Sequence, residues 1–216
     1  MSLELYFGPG ACSFVPHVAL EAAQAKFEAK LVKLHRGEQR SPEFLKLNPN
    51  AQVPVLVVDG RPLTQTVAIC DYLDRRFPEA GFLPTDPWAR TLAISQLAWM
   101  NSTPHTTFTR FFFPERFAQT ESAQAEVKAR AAKDFRGYLE RMQEWISNAR
   151  PFWFGDKVSF HDAYAFTLLR WGGYAGVDPK TLPAYHAYIQ RVIQAPPVAA
   201  AMARERVALD TYKGSA

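Results

Sequence analysis

Three short stretches carry side chains whose types and spacing could do chemistry: "GACS" around Cys12, "QVP" around Pro54, and "TQT" around Gln65 and Thr66. Cys12 follows a Pro9-Gly10 turn and directly precedes a helix-like pattern. The free N–H groups and positive dipole end of a helix favour an anion there. That lowers a thiol's pKa and raises its thiolate fraction. The same spot could hold a ligand's thiolate, with Ser13 as the hydrogen-bond donor, and an inert buried cysteine accounts for the position equally well. A Val53-Pro54 bond ahead of a strand can be cis. It would leave the Val53 N–H and C=O facing outward, where an extended peptide could pair with them. A trans proline opening an edge strand is the plainer account. Gln65 and Thr66 stand at a helix start, where free N–H groups accept a carboxylate, unless Thr66 is simply the N-cap.

The elements that must position these residues read in the order β-α-β-α-β-β-α over about 80 residues. "LELYF" (3–7) is a short strand closed by Pro9-Gly10. Val15, Val18, Ala19 and Ala22 recur at helical spacing between Ser13 and Ala25. "FEAKLVKL" (27–34) alternates as a second strand, and Ser41-Pro42 supplies an N-cap and first residue for a short helix over 41–48. "VPVLVVDGRPLTQ" (53–65) is a hairpin turning at Asp59-Gly60, and 66–77 is a helix with Val67, Ile69, Cys70 and Leu73 inward. Such a unit has one parallel and one antiparallel strand pair covered by helices.

The stretch 77–87, with its three prolines, is the linker, and composition shifts after it. Asp86-Pro87 opens a long helix that Pro104 breaks or kinks. A second long helix spans Glu121 to Asn148, and Ser159 with Asp162 forms a capping box for a helix over 159–171. Two shorter helices follow near 181–194 and 197–208, with no strand signal after the linker. The expected architecture is α/β plus all-α: a thioredoxin-like domain at 1–78, a linker at 79–86, and a helical bundle at 87–216. In a thioredoxin-like unit a thiol site, a cis-proline strand edge and a carboxylate-binding helix start lie side by side. That suits a thiol peptide with a free α-carboxylate, and glutathione is the candidate.

The bulk numbers narrow the classes. At 48% apolar residues, 216 residues make a soluble globule of one large or two small domains. Residues 1–80 carry nine basic and nine acidic side chains, so the whole net charge of +4 lies in the remainder, with no basic run. Nucleic acid is therefore not an expected partner. No apolar run of about 20 residues suggests a membrane span, and the first ten residues do not read as a signal peptide. Two cysteines, Cys12 and Cys70, form neither a metal set nor a disulfide framework. A reducing cytoplasm fits, with Cys12 a free thiol and no metal expected.

Four ordered motifs carry a resemblance to a known family. "PGACSFVPH" matches P-G-x-C-S-x-x-P-H, and "NPNAQVPVL" matches N-P-x-G-Q-V-P-x-L with Ala51 for the usual Gly. "LTQTVAICDYL" matches L-T-E-[SG]-x-A-I-x-x-Y-L, and "VSFHDAY" matches S-x-A-D-A-Y. The chain resembles, over essentially its whole length, the cytosolic glutathione transferases, most closely the bacterial beta class.

The resemblance implies a homodimeric enzyme that binds glutathione as thiolate and presents it to an apolar electrophile. It implies that Cys12 contacts the glutathione sulfur, with Ser13 the adjacent hydroxyl and His105 near the site. It implies a cis Pro54, with Val53 pairing the cysteinyl backbone, and Gln65 and Thr66 holding the γ-glutamyl group. Ala11, Gln52, Leu34 and Arg36 complete the expected glutathione contacts, and Phe108, Phe112 and Trp171 the electrophile wall. Three departures stand out: Gln65 replaces a Glu, the loop 34–41 offers His35, Arg36 and Arg40 in place of a Lys, and Pro104 precedes His105. Two rivals remain, a monothiol disulfide exchange at Cys12 and a non-catalytic binder. The zeta-class isomerase expects an arginine after its S-C motif that "GACSFVPH" lacks.

Overall fold

The computed structural model describes residues 2–147 and 149–213. The expected helix end at Asn148, and Met1 and 214–216 of the expected domains, lie outside them. The chain runs β1 (Leu3–Phe7), α1 (Phe14–Ala22), β2 (Glu28–Leu31), α2 (Pro42–Leu47), β3 (Val55–Val58), β4 (Arg61–Thr64) and α3 (Thr66–Arg76). Then come α4 (Pro87–Ser102), α5 (Pro104–Phe112), α6 (Glu121–Ile146), α7 (Phe160–Tyr174), α8 (Pro183–Val192) and α9 (Pro196–Glu205). This is a thioredoxin-like sheet unit followed by a helical bundle.

The sheet order is β2-β1-β3-β4. β1 pairs with β2 in parallel and with β3 antiparallel, and β3 pairs antiparallel with β4. There are thus two antiparallel pairs, where the sequence suggested one, because β1 is central and uses both edges. β2 is also shorter than the alternation over 27–34 suggested. β1 offers partners only as far as Phe7, and Val32 N–H makes the last bond to it. Alternation on β1 and β3 separates two layers. Leu3, Leu5, Phe7, Leu56 and Val58 face the main core with α1 and α3. Val55 and Val57 form a smaller cluster with Val32 and Phe44 of α2.

Local signals set most boundaries. Ser41 accepts from the Phe44 N–H and Asp86 from the Ala89 N–H, each with proline opening the helix. Asp59 and Gly60 both take positive φ, 47° and 79°, as a two-residue type I′ turn requires. Pro104 starts α5 and so breaks the long helix. α1 stops three residues before the expected Ala25. Gln24, at φ 50°, closes it with Ala25 N–H to Leu20 C=O and Gln24 N–H to Glu21 C=O. That is the bond pattern of a glycine-type helix stop, built here on glutamine. α9 likewise ends early, on Arg206 at φ 54°.

α7 is the axis of the molecule, with Phe160 through Leu169 buried. The Phe14 ring of α1 packs 4.7 Å from Phe166 of α7, so one core runs through both halves. The α7 start is fixed by buried Asp162, which accepts from the Ser159 N–H at 2.7 Å and hydroxyl at 2.5 Å. Its other oxygen accepts from Trp153 N–H at 3.1 Å and from the Tyr188 hydroxyl. Burial raises this carboxyl, while those donors lower it. Replacing Asp162 by Ala leaves several buried donors unpaired at once. We expect a loss of about 3 kcal/mol, read by urea unfolding; a loss under 1 kcal/mol would mean that the cluster adds little.

Candidate active site

The site begins where β1 runs out. Gly8 through Cys12 must turn the chain into α1 in a confined space. A Cβ on Gly8 would sit 2.6 Å from Leu34 Cδ1, and one on Gly10 (φ 66°) would collide with the Arg170 guanidinium. Ser13 closes the turn. Its hydroxyl donates to Gly8 C=O at 3.2 Å and accepts from Gly8 N–H at 3.1 Å, wholly buried. The Ser13 hydroxyl, one of the expected donors to a sulfur, here donates its proton to the turn it stabilises.

Cys12 Sγ lies against the other two stretches. Its thiol donates to Val53 C=O at 3.5 Å. The expected depression by the helix start is overturned. Burial pushes the Cys12 thiol up to about 11, and the carboxylate of Glu205 adds to this. The Thr66 hydroxyl and the backbone N–H groups of Cys12 and Ser13 pull the other way but lose. Cys70, one turn beyond Thr66 on α3, is fully buried and its thiol is pushed up still more plainly by burial.

The Val53–Pro54 bond is cis, with Val53 half-buried and Pro54 buried. Gln52 is exposed and its C=O accepts from Asn48 Nδ2 at 2.7 Å. Ala51 holds φ 55°, the left-handed conformation for which the family motif carries Gly. Gln65, exposed at φ 72°, is the residue ahead of α3, and its side chain caps nothing. A non-glycine residue held there is characteristic of ligand sites. Thr66 is the first helical residue, so the reading of Thr66 as the N-cap is also corrected. Leu34 is half-buried beside Gly8, Ala11 is half-buried, and Arg36 is exposed on the turn after β2.

The helical half reaches into this corner at Gly10. Trp171 Nε1 donates to Gly10 C=O at 2.9 Å, and Gly10 N–H donates to Glu205 Oε2 at 2.8 Å. Glu205 Oε1 lies 2.8 Å from His17 Nδ1, and burial raises this carboxyl. His17 stood out in the sequence without a role; Glu205 did not stand out. An acidic residue at the end of a helix gives no local cue, because its partners lie 188 and 195 residues away.

His105 Nδ1 is 2.8 Å from the Tyr164 hydroxyl, which donates to Asn101 Oδ1 at 3.2 Å. Its ring meets Trp171 edge-on at 4.9 Å, and burial takes it down to about 4, so it is neutral at neutral pH. Buried Phe108 stacks on Trp171 at 4.5 Å, and exposed Phe112 lies 5.5 Å from Phe108 and 6.3 Å from Tyr174. The structure thus brings His105, Phe108, Phe112 and Trp171 into one aromatic wall beside the Cys12 loop. Among the described residues no group of three or more His, Cys, Asp or Glu side chains could hold a metal, and no helix is long and apolar enough to cross a membrane.

The N-terminal domain of glutathione S-transferase matches residues 1–75, and its C-terminal domain matches residues 100–196. The chain belongs to the glutathione S-transferase family. It is 35% identical to "Glutathione S-transferase GST-4.5" of Xanthomonas campestris pv. campestris over 205 residues, 94% of this chain and 98% of the relative. A glutathione transferase homologue from Sulfitobacter, solved with bound glutathione, superposes with a TM-score of 0.89 at 28% identity, covering 95% of this chain and 99% of that one. A beta class glutathione S-transferase from Sphingomonas chungbukensis gives 0.79 at 32% identity, over 94% and 98%.

Two outcomes follow for this glutathione S-transferase corner. Glu205→Ala leaves the Gly10 N–H and His17 without their buried acceptor and should cost about 3 kcal/mol, read by chemical unfolding; Glu205→Gln should cost less, and equal costs would contradict a charge-assisted pair. With its thiol held up near 11, free Cys12 is protonated at neutral pH and becomes thiolate only as pH rises. Iodoacetamide alkylation, followed by mass spectrometry, should climb about tenfold per pH unit while Cys70 stays unmodified. A plateau reached at neutral pH would show a depressed thiol instead.

Proposed function

We propose that the chain is a glutathione transferase that holds glutathione across Cys12, Val53 and the start of α3, and transfers its thiolate to an apolar electrophile. The observation that carries this reading is the convergence at Cys12. Its sulfur meets the Val53 C=O at the cis-proline edge, and the Thr66 side chain at the start of α3 favours its charged form. The Val53 backbone would pair with the cysteinyl unit as a strand does. Gln65 and the first N–H groups of α3 would receive the γ-glutamyl group. Arg36 is the cation chosen for the glycyl carboxylate, with Leu34, Ala11 and Gln52 around the peptide.

Positioning supplies much of the rate, since holding thiolate and electrophile together removes the cost of encounter. Phe108, Phe112 and Trp171 offer the electrophile an apolar face that runs from buried to exposed. His105, neutral and tied to Tyr164, would orient rather than exchange protons there. We further propose domains at 1–78 and 87–216, joined by 79–86, a homodimer, and a cytoplasmic setting in which both thiols stay free.

Calorimetry with glutathione tests the core of the proposal, and no heat at millimolar ligand overturns it. Gln65→Ala should raise KM for glutathione roughly tenfold, the equivalent of one hydrogen bond to a charged group, with kcat little changed; an unchanged KM removes Gln65 from the site.

A further inference from the structure

We infer that Asn101, acting through Tyr164, fixes His105 as the tautomer protonated at Nδ1, and that Nε2 is thereby a hydrogen-bond acceptor in the aromatic wall, selecting electrophiles that carry an O–H or N–H group. The Tyr164 hydroxyl meets two side chains, His105 Nδ1 at 2.8 Å and Asn101 Oδ1 at 3.2 Å, and its residue is wholly buried. A phenol has one proton to give and lone pairs to receive with. That proton goes to the Asn101 oxygen, so the contact with His105 is made by the ring's own N–H at Nδ1. A neutral imidazole carries a proton on one nitrogen only, and burial keeps this ring neutral at neutral pH. Nε2 therefore bears the lone pair.

That lone pair is free for a bound molecule. Nε2 has no hydrogen-bond partner among the described residues, yet it is not one of the buried unpaired atoms, so solvent reaches it. The ring stands edge-on to Trp171 at 4.9 Å, and Trp171 stacks on Phe108 at 4.5 Å. The Trp171 N–H is taken by Gly10 C=O, and the phenylalanine rings have no polar atom. Nε2 is thus the polar contact that these rings leave to a ligand. An acceptor set in an apolar surface rewards a donor, and it stays unpaired against an ether or nitro oxygen, which has no proton to give. The helix break assembles the relay. Pro104 separates α4 from α5, and Asn101 and His105, on either side of it, close on the same hydroxyl of α7. Asn101 is a positioning residue, reaching His105 through Tyr164.

The kind of molecule that reaches the wall rests on the glutathione transferase reading, yet the test needs no glutathione. Nitrogen NMR shifts of isotopically labelled chain at neutral pH report the tautomer, and the His105 signals are assigned by their loss in His105→Gln. Nδ1 should appear protonated and Nε2 bare, and the opposite pattern in the wild-type chain overturns the proposal without any variant having to fold. Asn101→Ala takes away the acceptor, so the phenol proton turns to Nδ1 and the ring should switch to Nε2–H. Asn101→Asp keeps an oxygen acceptor and should keep Nδ1–H. An Ala variant that retains Nδ1–H also overturns the proposal, by removing Asn101 from the relay. Phenol and anisole, the same ring with and without a donor, then probe the lone pair. Phenol at millimolar concentration should move the Nε2 signal toward the protonated range, and anisole should leave it in place. Equal shifts, or none with either, overturn the selectivity. The absence of heat with glutathione in calorimetry would sink the transferase reading and leave the tautomer standing.

Discussion

The peptide group of Gly10 is held from both sides, its N–H by the Glu205 carboxylate at 2.8 Å and its C=O by the Trp171 indole at 2.9 Å. Two residues later stands Cys12. Gly10 takes a left-handed φ of 66°, a region that glycine enters most readily, and the two partners hold the loop in that geometry. The partners come from α7 and from the end of α9, so the thiol is not positioned until the helical half has packed. Glu205 is expensive to bury, and its burial is offset by two donors, Gly10 N–H and His17, rather than one. The thiol corner and the domain contact are in this sense one structure.

The same clamp sets the electrostatics of the thiol. A helix start was expected to favour the thiolate, and its N–H groups do so. A dipole near the surface contributes about 0.3–1 kcal/mol, while removing a charged sulfur from water costs several times that. Glu205, brought close by its hold on Gly10, adds like charge to the deficit. The corner therefore keeps Cys12 protonated when empty and relies on hydrogen bonds close to the sulfur to tip the balance. In the proposed reaction a bound peptide would change this balance, because it would compete for the Val53 carbonyl that the thiol now uses.

Most of the fold was legible because its signals are local. Ser41-Pro42, Asp86-Pro87, Asp59-Gly60 and the Ser159–Asp162 box each act within four residues, and each sits where the sequence put it. The misses share a different cause. Gln24 ends α1 in a conformation usually left to glycine, which composition does not flag. The second strand stops early because its partner does. At the site, the residues Cys12, Val53, Pro54, Gln65 and Thr66 could be singled out, but not their division of roles. That the Ser13 hydroxyl serves the turn depends on how the chain folds back at Gly8, which no local signal shows. Glu205 could not be found at all, since its meaning lies in contacts almost the whole chain away.

Trp171 shows why the aromatic wall cannot vary freely. Its N–H fixes Gly10, its face stacks on Phe108 in near-parallel planes 11° apart, and His105 meets it edge-on. A change at Trp171 would loosen the thiol loop as well as reshape the wall, and Phe108 is committed in turn to Phe135 of the core at 5.7 Å. Phe112 and Tyr174 stand at the outer end, exposed and in contact mainly with other rings and with the Arg170 side chain. Substitution there leaves the Gly10 clamp intact. In the proposed reaction, adaptation to electrophiles of different size would therefore be cheapest at the outer aromatic pair, since the inner pair is constrained by the hold of Trp171 on Gly10.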